Sequence, residues 1–101
     1  MSNLAGTWDL ALKTPVGTLA VEYRFKDLRG TATSKAETVP LMNIVTTVAD
    51  GVERVTWQQR VTKPMRLNLD FEVEIDGDTM TGYARAGRLP HTRVTGLRKS
   101  A

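Results

Sequence analysis

The chain has 101 residues, 41% of them hydrophobic and 25% charged, which fits one globular domain over residues 1–101 and excludes disorder and fibrous repeats. It contains no cysteine and a single histidine, so disulfides, thiolate chemistry and a sulfur- or histidine-rich metal site are excluded, and we expect neither a metal nor a cofactor. The net charge of +3 comes from Lys and Arg residues scattered among Asp and Glu, which argues against a nucleic-acid partner.

Alternation of apolar and polar residues with a period of two dominates the chain and predicts an all-β fold. The first predicted strand runs from Thr7 to Lys13 and has three large apolar side chains on one face. A turn over residues 14–17 leads to the second strand, whose two faces separate cleanly. The inward residues of these two strands are Trp8, Leu10, Leu12, Leu19, Val21, Tyr23 and Phe25.

The third strand is predicted to carry Leu28, Gly30 and Ala32 inward. The segment Thr38–Ala49 has apolar residues on both parities, which indicates a β-bulge or a bend near Pro40.

The second half of the chain repeats the alternation and adds two strong hairpin signals, Asp50-Gly51 and Asp76-Gly77. Lys63-Pro64 separates the fifth strand from the sixth, which starts at Met65, and the last strand runs from about His91 to Arg98. The inward residues of the fifth to seventh strands are Val55, Trp57, Gln59, Val61, Met65, Leu67, Leu69, Phe71, Val73, Ile75, Met80, Gly82, Ala84 and Ala86.

Eight amphipathic strands joined by hairpins cannot remain an open sheet, because the apolar face would have no cover and two edges would stay unpaired. The sequence therefore predicts a closed antiparallel eight-stranded up-and-down β-barrel, whose interior is wide enough for side chains or one small ligand.

The segment Leu4-Ala5-Gly6-Thr7-Trp8 resembles the Gly-x-Trp start of the calycin barrels, namely lipocalins, fatty-acid-binding proteins and avidins. The resemblance implies that Trp8 closes one end of the barrel and that a late basic residue, Arg93 or Arg98, packs across it. The chain also resembles small stand-alone bacterial proteins that share the Gly-Thr-Trp-Asp-Leu, Val-Thr-Lys-Pro-Met and Gly-Asp-Thr-Met segments.

Small inward residues on the third and seventh strands face large aromatic ones, which fits either tight coiling of a small barrel or a ligand cavity with aromatic walls. The predicted ligand-binding residues are Trp8, Tyr23, Phe25, Trp57, Gln59, Met65, Leu69, Phe71 and Met80.

Polar residues near this interior are the candidates for chemistry. A buried Gln59 amide without partners costs about 1 to 3 kcal/mol, so Tyr23, backbone, water or a ligand carbonyl or hydroxyl should satisfy it. His91 is the one side chain that ordinarily titrates near neutral pH. If the protein is an enzyme, His91 is the acid–base residue, Glu37 orients it, and Tyr23 and Gln59 polarise a substrate oxygen.

The leading functional hypothesis is binding of a compact apolar or aromatic molecule inside the barrel. The alternative is a cofactor-free enzyme, a cyclase, isomerase or dehydratase, that uses the same cavity. A third hypothesis is a homodimer formed through outward residues such as Tyr83 and Val45.

The chain has neither a leader pattern nor about 20 consecutive apolar residues, so we expect a cytoplasmic protein without membrane contact.

Overall fold

The computed structural model describes residues 4–14, 17–26, 28–35, 37–62, 66–87 and 91–99. They form eight antiparallel strands that close into a barrel in the order of the chain, with β1 pairing both β2 and β8. The predicted all-β, up-and-down architecture is therefore confirmed. The strands are β1 Gly6–Thr14, β2 Gly17–Lys26, β3 Arg29–Thr33, β4 Thr38–Ala49, β5 Val52–Val61, β6 Leu67–Asp76, β7 Thr79–Arg85 and β8 Thr92–Arg98.

The inward faces predicted from alternation form one shared core. Its centre is a cluster of four aromatic rings, in which Trp57 stacks on Phe71 with centroids 4.8 Å apart and Phe25 meets Trp57 edge-on at 5.3 Å. Tyr23 completes the cluster at 5.6 Å from Trp57. The remaining buried apolar residues are Leu4, Trp8, Leu10, Leu12, Ala32, Val39, Leu41, Val55, Val73, Ile75, Met80, Ala84 and Val94.

One end of the barrel, reached by the start of β1 and the ends of β2 and β8, is closed by its own side chains. Trp8 is fully buried, and its Nε1 donates a hydrogen bond to the Leu4 carbonyl at 2.9 Å. The Arg98 guanidinium lies 4.3 Å from the centroid of the Trp8 ring and donates to the Ala5 carbonyl. Of the two basic residues that the resemblance offered, Arg98 is the one that packs on Trp8.

The irregularity in β4 lies further along the strand than the sequence indicates. Pro40 pairs regularly with Thr31, and the register shifts between Met42 and Val45, where Asn43 has a φ of 54°. A bulge changes which parity faces inward. Val39 and Leu41 therefore point inward before it and Ile44 after it, which explains why both parities of this segment are apolar.

Leu28 was expected on the inner face of the third strand, and this prediction is wrong. The residue has a φ of 60° in the turn before β3 and is 57% exposed. The β3 strand begins one residue later, and Gly30 and Ala32 face inward as predicted.

The small inward residues serve close packing. A Cβ placed on Gly82 would lie 2.0 Å from the Glu72 carbonyl oxygen, and one on Gly30 would lie 2.9 Å from both the Arg24 carbonyl oxygen and Leu41. Of the two alternatives for these residues, tight coiling applies at Gly30 and Gly82, because the space that a side chain would take is already filled.

The described residues contain no helix long and apolar enough to cross a membrane. Within the same ranges, no three His, Cys, Asp or Glu side chains are grouped so that they could hold a metal ion.

Candidate functional site

The end of the barrel opposite Trp8, reached by the connections after β1, β3, β5 and β7, keeps apolar side chains in contact with solvent. Leu19 on the inner face of β2 is 50% exposed. Four further inward residues near this end are only half-buried: Val21, Val61, Leu67 and Leu69. We call these five residues the apolar mouth.

The strand register places the residues of the apolar mouth on the inner face at one end of the barrel. On β5 and β6, Val61 pairs with Leu67, and Gln59, one step deeper, pairs with Leu69. On β2, Leu19 pairs with the buried Leu12 of β1, so it faces the interior although half of it is exposed. The mouth thus combines inward side chains of three strands and opens away from the Trp8 end.

A hydrogen-bonded group of three buried residues lies beneath the mouth. The Gln59 side chain is 3% exposed, and its Oε1 accepts hydrogen bonds from the Tyr23 hydroxyl at 2.8 Å and from Trp57 Nε1 at 3.1 Å. An indole nitrogen can only donate, so the amide oxygen, and not the nitrogen, must face Trp57. The orientation of the Gln59 amide is therefore fixed by chemistry.

Burial raises the pKa of Tyr23 well above its ordinary value of 10.0, and the hydrogen bond to Gln59 opposes this only in part. The cause is the cost of placing a phenolate among apolar side chains. Tyr23 is consequently a neutral hydrogen-bond donor at physiological pH.

The predicted aromatic walls pack against one another. Trp8, Tyr23, Phe25, Trp57, Phe71 and Met80 are all at most 4% exposed. Their rings and side chains fill the middle of the barrel and its closed end, so accessible apolar surface on the inner face begins above them. Of the predicted ligand-binding residues, Leu69 belongs to the mouth, Gln59 lies beneath it, and Met65 lies outside the described residues.

The four predicted catalytic residues fall in three places. Tyr23 and Gln59 meet in the interior. The Glu37 carboxylate accepts hydrogen bonds from the Thr62 backbone N–H at 2.7 Å and from the Thr62 hydroxyl, which ties the β3–β4 connection to the end of β5. The His91 ring lies 5.5 Å from that of Tyr83, an outward residue of β7. No contact between Glu37 and His91 occurs in the described structure.

The outer wall over β4 to β7 carries a groove of about 510 Å³. Tyr83 and Val45, the residues predicted to pair two copies, are both about half exposed and both line it, together with His91. A chain of hydrogen bonds crosses the groove from Asn43 to Gln58 at 2.7 Å and from Gln58 to Asp70 at 2.9 Å.

Sequence reasoning placed Leu19, Val21, Val61 and Leu67 on the inner face without assigning them to the ligand site. Alternation shows which way a side chain points but not which end of a barrel stays open. The sequence-based prediction also missed that Glu53, on the inner parity of β5, is buried. Position 53 continues the series 55, 57 and 59, so parity was the signal that could have found it.

No protein-family model matches this chain, and searches of curated proteins and of solved structures returned no significant match.

Proposed function

We propose that this barrel binds a compact apolar or aromatic molecule, which enters through the apolar mouth and lies above the Gln59 group. The observation that carries the proposal is the difference between the two ends of one inner face. Trp8 is fully buried at one end, whereas Leu19 is half exposed at the other. The mouth of a β-barrel lined by apolar side chains is a common location of small-molecule sites.

The expected affinity is modest. Burying about 250 Å² of apolar surface is worth roughly 6 kcal/mol, and association costs several kcal/mol. Before that cost, about 6 kcal/mol corresponds to a dissociation constant of roughly 40 μM, so after it apolar contact alone supports a dissociation constant of about 1 mM or weaker.

The resemblance of the first strand to calycin barrels agrees with this function. Arg98 packs over Trp8 at one end, as the resemblance implies, and this leaves the opposite end for a ligand. We propose on this basis that the barrel is calycin-like and holds its ligand at the end opposite Trp8.

A cofactor-free enzyme acting on the same molecule is the second candidate. Of its two polarising residues, Tyr23 already donates its O–H to Gln59 Oε1, so only the amide nitrogen of Gln59 is left to polarise a substrate oxygen. His91, the acid–base residue of that hypothesis, lies on the outer wall against Tyr83. Binding is therefore the stronger proposal.

The test of binding is a thermal-shift screen with small apolar compounds, followed by titration of the best one, because a ligand that binds only the folded state raises the melting temperature. Leu19→Glu should weaken this compound at least tenfold, because it places a charge in the mouth. The matched control is Leu97→Glu, since Leu97 is also an exposed strand leucine but pairs with Asp9 and Thr79 on the outer face. Equal affinities for the two variants would refute binding at the mouth.

The outer groove supports a separate proposal, a second copy of this chain as a partner. Besides the apolar Tyr83 and Val45, it is lined by Arg85 and Glu72, and a twofold axis would bring the cation of one copy to the anion of the other. Light scattering should give twice the chain mass, and Tyr83→Ser with Val45→Thr should halve it. A monomer before substitution would refute the proposal.

A further inference from the structure

The Gln59 amide has a donor left over. Both hydrogen bonds of its side chain go to Oε1, and within the described residues its Nε2 makes none. In the same part of the chain, no fully enclosed side-chain nitrogen or oxygen lacks a hydrogen-bond partner. The nitrogen must therefore border accessible space, although the residue as a whole is 3% exposed.

The direction of this nitrogen follows from its surroundings. Oε1 faces Trp57, which lies one step nearer the closed end on β5, and the nitrogen occupies the other arm of the planar amide. On β5 the next inward residue on the side away from Trp57 is Val61, and the cross-strand partner of Gln59 on β6 is Leu69; both belong to the apolar mouth. The apolar mouth is therefore the accessible region within reach of the two N–H bonds of Gln59 Nε2.

We infer that Gln59 Nε2 is the polar recognition element of this site and that the ligand carries a carbonyl oxygen. The inference rests on the proposed function and specifies its ligand class. Oε1 already accepts two hydrogen bonds, so the amide has only donors to offer. A carbonyl accepts without bringing a proton, whereas a hydroxyl brings an O–H that needs an acceptor of its own among apolar side chains.

Three probes of nearly equal shape test this: acetophenone, α-methylstyrene, in which a CH₂ group replaces the carbonyl oxygen, and 1-phenylethanol. Each is titrated into the protein of unmodified sequence labelled with ¹³C and ¹⁵N, so that no variant has to fold. The readouts are the mouth methyl signals, which report binding, and the side-chain amide signals. The chain has two glutamines, Gln58 and Gln59, and the exposed Gln58 is the control in the same spectrum.

Acetophenone should bind roughly three- to tenfold more tightly than α-methylstyrene, which is the usual worth of one hydrogen bond, and more tightly than 1-phenylethanol. It should move the Gln59 amide protons downfield and leave those of Gln58 in place. Equal binding of ketone and alkene with an unmoved Gln59 signal, or equal binding of ketone and alcohol, would overturn the carbonyl inference and leave the proposed function standing. Unmoved mouth methyl signals with all three probes would overturn both.

Discussion

The hydroxyl of Tyr23 on β2 donates a hydrogen bond to Oε1 of Gln59 on β5 at 2.8 Å, which joins two strands that are not neighbours in the sheet. Because Trp57 Nε1 donates to the same oxygen, one amide satisfies two buried donors. Tyr23 and Trp57 belong to the packed aromatic cluster, and Gln59 lies between them and the apolar mouth, so the group stabilises the fold and underlies the proposed site.

Replacing Gln59 by Leu should lower the free energy of unfolding by about 3 kcal/mol. The substitution leaves the Tyr23 hydroxyl and the Trp57 N–H without an acceptor, and each buried unpaired group costs about 1 to 3 kcal/mol. Urea unfolding followed by tryptophan fluorescence measures the change.

Gln58→Leu is the matched control for that variant. Gln58 lies next to Gln59 on the exposed face and also makes two side-chain hydrogen bonds, to Asn43 and Asp70. Its loss should cost less than about 0.5 kcal/mol, because water replaces the lost partners. Similar costs at the two positions would contradict the assignment of Gln59 as a buried acceptor.

The ionisation of Tyr23 should be coupled to unfolding at high pH. Its folded pKa is raised above the ordinary 10.0 by burial, so the unfolded phenol ionises while the folded one stays neutral. The contribution of the neutral Tyr23 phenol to the free energy of unfolding is fully present below about pH 10, and it is lost as the pH rises toward the pKa of Tyr23 in the folded protein. In Tyr83→Phe, where Tyr23 is the remaining tyrosine, phenolate absorbance should rise only together with the circular-dichroism change of unfolding. Phenolate forming in the folded barrel would count against the burial of Tyr23.

Replacing Arg98 by Met should destabilise the closed end by about 2 kcal/mol. The guanidinium stacks on Trp8 and donates to the Ala5 carbonyl, and a cation–π contact contributes about 1 kcal/mol with a similar amount from the hydrogen bond. Arg93→Met on the exposed face of β8 is the control and should change the unfolding midpoint little. The idea fails if both variants unfold at the same denaturant concentration.

Replacing Gly82 by Ala should cost on the order of 3 kcal/mol, a large effect for one methyl group. The added Cβ would meet the Glu72 carbonyl oxygen at 2.0 Å and the Val73 Cα at 2.6 Å, and backbone atoms cannot rotate away. Thr81→Ala, at the exposed neighbouring position of β7, should be nearly neutral. Calorimetry of both variants decides the matter, and an unchanged melting temperature for Gly82→Ala would show that β6 and β7 can separate there.

Alternation predicted nearly every inward residue, because the side-chain period of a strand is two and one face must be buried, and the hairpin signals added the strand order. It failed at Leu28 and misplaced the bulge of β4, since a residue with positive φ interrupts the alternation in each case. Gln59 and Tyr23 could be identified as interior polar residues from parity, but their hydrogen bond was one of several alternatives, because barrel closure sets which inward residues of distant strands meet. His91 was placed at a strand start and Glu37 at a turn, but the directions of their side chains could not be predicted, because parity no longer specifies a direction in or beside turns.

The amino-acid sequence by itself determined that this protein is an eight-stranded barrel with one apolar interior, because hydrophobic alternation and hairpin signals are local properties of the chain. Only the tertiary structure decided that Arg98, and not Arg93, covers Trp8 at one end and that the opposite end keeps accessible apolar side chains. The closed end depends on Arg98 and Leu4, which contact Trp8 from opposite ends of the chain. The orientation of the Gln59 amide depends on Trp57, whose indole nitrogen can only donate and therefore takes the amide oxygen. The Arg98–Trp8 and Tyr23–Gln59 contacts join residues far apart in sequence, so they have no local signature and exist only once the barrel has closed.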